Sequence, residues 1–258
     1  MVGHAVVHFE VGAADDGPLA AFYGELFGWG LEGPPGGGYT MIDTRGGDGI
    51  NGGIGKSQTG QPWLAFYVET DDLQATLDKA NSLGGRTVMP VTDFGGMVTI
   101  AMFSDPDDLL VGLVRAPAEA SGDAGPAPSA GPGAPVTWFE VMGSDAARTQ
   151  RFYADLFGWA VDGSFPGYAT VDTGTSGGIQ GGLGGGEESR WATIYAKVAD
   201  VDQTFGRAEE LGGSRIAEPG VPALKAAARA ALYGSTDDTM KTGAFRDPAG
   251  NVFGVFSY

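Results

Sequence analysis

The chain has 258 residues, 42% hydrophobic and 10% aromatic, enough for two compact units or one fused domain with a buried core. A formal net charge of −17, with both halves acidic, argues against nucleic acid and anionic membranes as partners, because each requires basic surface. Zero cysteines exclude disulfides, thiolate nucleophiles and thiolate metal sites, and fit a reducing cytoplasm. The opening MVGHAVVHFEV lacks a charged n-region and a long apolar run, and no apolar stretch is long enough to cross a bilayer. A cytoplasmic protein is expected, without export signal or membrane partner.

In chain order, the first signal is apolar alternation over 6–11, a strand with one buried face. A helix follows, with Asp15 or Asp16 as N-cap, Leu19, Phe22, Tyr23 and Leu26 at helical spacing, and Gly28 as its stop. A short strand over 39–43 leads through the Gly-rich stretch 46–55 into a strand over 63–68. A second helix spans 72–83 and ends at Gly84-Gly85. Closing strands over 98–103 and 109–114 flank the turn at Asp105-Pro106. Residues 116–135, APAEASGDAGPAPSAGPGAP, offer no large apolar side chain and read as a linker long enough for the flanking modules to pair.

The series then starts again. HFEVGAADDGPLAAFYGELFGW at 8–29 recurs as WFEVMGSDAARTQRFYADLFGW at 138–159. The second copy carries a strand over 136–141, a helix capped by Ser144 or Asp145 with Phe152, Tyr153 and Leu156, and a stop at Gly158. Strands over 168–172 and 191–198, a helix over 200–211, and strands over 241–245 and 252–256 around Asp247-Pro248 complete it. An internal repeat of this length makes each copy, 1–115 and 136–258, a folding unit of its own. The copies differ between Pro219 and Asp247, where PALKAAARAALYGSTDD at 222–238 forms an Ala-rich helical insertion suited to a lid, a dimer contact or a solvent-side decoration. The Gly-rich stretches 46–55 and 174–186 contain no G-x-x-x-x-G-K-[ST], so they are flexible connections or pocket lips rather than phosphate loops.

A polar first-strand residue, His8, 14 positions before a helical Phe-Tyr, together with a helical Phe-Tyr, LFGW, a helix ending in LGG, and an Asp-Pro turn that each occur twice, resemble the vicinal oxygen chelate superfamily. This is the glyoxalase, bleomycin-resistance and extradiol-dioxygenase group. The resemblance implies an α+β fold: two tandem βαβββ modules pairing into a curved mixed sheet of about eight strands, with external helices around a cavity. It also implies a divalent metal held by residues of the first strand, the strand before the second helix, and the last strand.

Set against that pattern, His8 fills the first-strand place, while its counterpart is Trp138. The other places fall on Trp63, Trp191, Gly112 and Gly254. One imidazole cannot hold a divalent ion, so no metal and no other cofactor is expected; the way around this would be Glu10, Glu140 or Asp43 ligating from shifted positions. Trp63, Trp138 and Trp191, with Tyr39 and Tyr168 and with room at Gly112 and Gly254, suggest an aromatic-walled slot for a flat or apolar small molecule, or else plain core. Glu10 and Glu140 lie two residues beyond the ligand place, on its side of the strand. They can serve as general acid or base, bind a cationic ligand, or hold the modules in register by hydrogen bonds. His8, Glu10 and Glu140 are the catalytic candidates; His4 is expected to have no role. The functional expectation is a small-molecule protein of this group, monomeric or homodimeric, binding or transforming its ligand without metal. Alternatives are a metal-dependent lyase, isomerase or dioxygenase, and a non-catalytic binding or regulatory module.

Overall fold

The computed structural model describes residues 4–33, 37–115, 127–175, 177–186, 190–216 and 241–257. The first repeat runs β1 (Val6–Ala13), α1 (Asp16–Phe27), β2 (Gly30–Glu32), β3 (Tyr39–Asp43), β4 (Asn51–Lys56), β5 (Trp63–Glu69), α2 (Leu73–Ser82), β6 (Arg86–Asp93), β7 (Thr99–Ser104) and β8 (Leu110–Arg115). The second runs β9 (Val136–Gly143), α3 (Ala146–Phe157), β10 (Ala160–Phe165), β11 (Tyr168–Asp172), β12 (Gln180–Gly185), β13 (Trp191–Lys197), α4 (Val201–Glu210), β14 (Ser214–Arg215), β15 (Lys241–Arg246) and β16 (Val252–Ser257). The α+β class and the mixed sheets are as expected. The count is richer: each repeat carries βαβββ twice and forms its own eight-stranded sheet, β2-β3-β4-β1-β5-β8-β7-β6 and β10-β11-β12-β9-β13-β16-β15-β14. Most pairs are antiparallel; β5 with β8 and β13 with β16 are parallel.

The helix ends follow local chemistry. Asp15, Asp72, Asp145 and Asp200 are the N-caps, each accepting a backbone N–H with its carboxylate. Gly28 and Gly158 close α1 and α3 at φ 71, the left-handed conformation that a side chain disfavours. The Gly-rich stretches need correcting, since they are not loose connections. Each contains a buried strand, β4 or β12, where glycines leave room for aromatic rings from neighbouring strands. With so few side chains these strands had no alternation to read. The 222–238 insertion lies outside the described residues.

The chain packs as two compact units, each drawing on both repeats. Unit 1 takes Met1–Phe9, Ala65–Ala127 and Phe139–Ala192; unit 2 takes Glu10–Leu64, Pro128–Trp138 and Thr193–Tyr258. The repeated landmarks explain this exchange. In unit 1 the Tyr153 hydroxyl donates to Asp105 at 3.2 Å, and in unit 2 Tyr23 donates to Asp247 at 3.0 Å, so the Phe-Tyr of one repeat meets the Asp-Pro turn of the other. Both carboxyls also accept backbone N–H groups: Asp105 from Asp107 and Leu109, Asp247 from Ala249, Gly250 and Asn251. Burial raises the pKa of both carboxyls against these hydrogen bonds, and raises Tyr23 and Tyr153 well above the usual phenol value.

The Trp of each LFGW run lies flat against the same tyrosine. Trp29 stacks on Tyr23 at 5.5 Å and 11°, and Trp159 on Tyr153 at 6.1 Å and 7°. Such pairs are worth about 0.5–1.5 kcal/mol beyond the area they bury. Each indole N–H reaches a carbonyl at 2.8 Å, Trp29 that of Ala134 and Trp159 that of His4. His4, to which no role was assigned, also places Nδ1 3.0 Å from the Glu69 carbonyl. The described end of the linker is likewise tied down within unit 2. Ser129 donates from its backbone N–H and hydroxyl to Asp43, and Gly133 N–H donates to the Arg45 carbonyl at 3.2 Å. Asp43, considered as a shifted metal ligand, is therefore engaged as an acceptor, with hydrogen bonds and Arg45 holding it below the usual carboxylate range despite opposing desolvation.

Candidate functional site

In unit 2 three candidates come together. A Cβ at Gly12 would overlap the Trp63 indole, so the ring lies directly on β1, and the same ring stands 3.2 Å from where a Cβ of Gly55 would be. Tyr39, from β3, turns its hydroxyl down over Gly53 and hydrogen-bonds Glu10. Burial, then the charge of Glu10 and that hydrogen bond, push the Tyr39 hydroxyl far up. The tyrosine nevertheless keeps 36% of its surface open, and Glu10 and Trp63 are half-buried. A carboxylate, a phenol and an indole thus share an open shelf floored by glycines. It can take a flat ring against the aromatics and a donor or cation against Glu10.

The equivalent residues of unit 1 are arranged otherwise. Glu140 is 4% exposed and accepts a hydrogen bond from Trp191 Nε1 at 2.9 Å. Tyr168 is 1% exposed, with its hydroxyl over Gly182. Met142 occupies the position of Gly12, and its sulfur stands 2.6 Å from where a Cβ of Gly184 would be, the counterpart of Gly55. The thioether here takes the place the indole holds in unit 2.

The two first-strand ligand places also diverge. In unit 1 His8 meets the edge of Tyr67 at 5.7 Å, and the Tyr67 ring covers Gly112. His8 is half-buried, yet desolvation brings its pKa to about 4, so at neutral pH it is an uncharged imidazole. In unit 2 Trp138 is packed in a buried cluster with Tyr195 and Phe256, and Tyr195 covers Gly254. Trp138 is core there, and the room expected at Gly112 and Gly254 is taken by tyrosine rings. His8 belongs to unit 1 and Glu10 to unit 2.

The donor set does not fit the divalent ion that the resemblance implies. Rings cover the glycines at the closing-strand places, indoles stand at three others, and no group of three or more His, Asp or Glu gathers among the described residues. Sequence reasoning missed Gly12, Met142, Tyr67 and Tyr195. Aligning the repeats four residues past His8 and Trp138, or past Trp63 and Trp191, would have shown Gly against Met and Tyr against Tyr.

No protein-family model matches the chain. Among curated proteins it is 29% identical over 235 residues to the anthracycline biosynthesis protein DnrV of Streptomyces peucetius, covering 82% of this chain and 83% of that protein. It is 27% identical over 220 residues to the putative glyoxylase CFP32 of Mycobacterium bovis, covering 80% and 81%. Among solved structures, the Mn(II)-bound glyoxalase from Novosphingobium aromaticivorans superposes with a TM-score of 0.62 at 14% identity, covering 99% of this chain and 83% of that one. The 2,3-dioxygenase LapB from Pseudomonas sp. KL28 does so with 0.62 at 15% identity, covering 100% and 93%. No helix among the described residues is long and apolar enough to cross a membrane. Repeat, sheet order and these likenesses together give the chain the tandem two-module fold of the glyoxalases and extradiol dioxygenases.

Proposed function

We propose that the protein binds, and either carries or transforms, a small flat aromatic molecule without a metal ion. The observation behind this reading is the open shelf of unit 2, where Trp63 lies on Gly12 and Gly55 and the Glu10–Tyr39 pair stands ready to receive a donor or cation. The relative whose name places it in anthracycline biosynthesis supports the ligand class, since anthracyclines are polycyclic aromatics. Titration of the purified protein with 9-aminoacridine, a flat cation, followed by indole quenching, tests the reading. Glu10→Gln keeps shape and removes charge, so it weakens binding at least several-fold, about 1–3 kcal/mol for a lost charged hydrogen bond. Trp63→Ala weakens it through lost packing.

A metal-dependent lyase, isomerase or dioxygenase is the second reading, favoured by the Mn(II)-bound structural neighbour and by His8 in its first-strand place. Elemental analysis separates the two. Near one divalent ion per chain, lost on His8→Ala, establishes the second reading and overturns the first.

A further inference from the structure

The two repeats place a glutamate, a tyrosine and a tryptophan at equivalent positions; both tryptophans are half-buried, yet Glu10 and Tyr39 keep surface that Glu140 and Tyr168 lose. Glu10, Tyr39 and Trp63 correspond to Glu140, Tyr168 and Trp191, and the glycines beneath them correspond too, Gly53 to Gly182 and Gly55 to Gly184. Within these sets the strand position two residues beyond the glutamate is the substitution that changes the packing, Gly12 in one and Met142 in the other. A side chain at Gly12 would collide with the indole, so glycine is what lets Trp63 lie down on the strand. At Met142 that space is filled, the thioether reaches over Gly184, and the Trp191 indole is instead hydrogen-bonded to Glu140. Both Met142 and Glu140 are 4% exposed. A flexible thioether is well suited to filling such a gap.

We propose that Met142 is a plug that seals in unit 1 the site that Gly12 leaves open in unit 2. The chain then presents one acceptor for a flat, cation-bearing aromatic and one closed copy of it. This rests on the proposed function only for the identity of the ligand. The sealing itself follows from the packing, and it makes Met142 a determinant of how many molecules one chain holds.

Calorimetric titration with 9-aminoacridine, with its uncharged analogue acridone as a comparison, tests this on the full chain. The native protein takes up one molecule per chain, and binds acridone roughly tenfold more weakly for want of a charge opposite Glu10. Met142→Gly gains a second site, and uptake rises to two. Met142→Ala, a milder truncation that retains a Cβ, gives a second but weaker site and serves if the glycine variant fails to fold. Outcomes separate cleanly. No uptake by the native protein refutes the proposed function. Two equivalent sites in the native protein refute the plug and leave that function standing. Uptake that stays at one in every folded Met142 variant also refutes the plug.

Discussion

The Glu140 site of unit 1 and the Glu10 site of unit 2 use the same residue types at the same places, and one is sealed while the other is open. Tyr168 is 1% exposed and Tyr39 36%; Glu140 is buried with a Trp191 hydrogen bond, and Glu10 is half-buried with Tyr39. The first-strand ligand place shows the opposite order, for Trp138 is buried core in unit 2 whereas His8 keeps some surface in unit 1. The two repeats share one packing plan, and single differences between them, Gly12 against Met142 and His8 against Trp138, go with which space each unit keeps. Frame and site are therefore separable: the Tyr–Asp and Tyr–Trp contacts are matched in both units, while the strand position that is Gly12 in one and Met142 in the other carries the difference.

Removing the frame has the largest expected effect. Asp247→Ala leaves the Ala249 and Asn251 N–H groups and the Tyr23 hydroxyl without their acceptor and the Gly250 N–H with only the Asp247 carbonyl, and should cost about 3 kcal/mol or more in denaturant unfolding. Asp105→Ala, with two such N–H groups and Tyr153, should cost somewhat less. Equal and negligible losses would show that the crossed Tyr–Asp contacts do not hold the units.

The two indoles give the next contrast. Trp191→Phe takes a hydrogen bond from the buried Glu140 and should cost about 1–3 kcal/mol, whereas Trp63→Phe, on an open shelf, should cost under about 1 kcal/mol. Identical losses would mean that the sites are alike in burial, against the comparison.

A smaller effect concerns pH. The folded pKa of His8 is about 4, below its ordinary value of 6.5, so the unfolded chain binds more protons between those limits. The stability this group contributes is complete above about pH 6.5 and is lost as pH falls toward 4. The loss is on the order of 2 kcal/mol, discounted because the imidazole is partly open. His8→Phe, which keeps a ring against Tyr67, should flatten stability across that interval relative to the native protein. In unit 2 the equivalent Trp138 cannot titrate, so Trp138→Phe should leave the slope as it was. A slope unaltered by His8→Phe would contradict the desolvated imidazole.

The sequence made the repeat, the helices with their Asp caps and Gly stops, and the α+β fold legible, because these are local or periodic signals. Tyr23 and Asp247 were visible as landmarks, but their contact was not, since they stand 224 positions apart and the pairing depends on the exchange between repeats. The strands β4 and β12 stayed hidden because glycine carries no alternation; their meaning lies in the rings that cover them. At the site, the sequence offered Glu10, Glu140, the two tyrosines and three tryptophans as one set without dividing them between units, and Trp138, read as a wall of the slot or as core, packs as core. Whether an aromatic side chain lines a space or fills it depends on one residue beneath it, here Gly12 or Met142, and composition does not rank such positions.

Carboxyl footprinting tests the central claim most directly. Brief treatment of the native protein with a water-soluble carbodiimide and glycine ethyl ester, read by peptide mass spectrometry, compares Glu10 with Glu140 inside one molecule under one set of conditions. An open site in unit 2 and a sealed one in unit 1 predict labelling of Glu10 at least roughly tenfold faster than Glu140, the latter reacting only through local opening. Equal rates, or faster reaction at Glu140, would contradict the account.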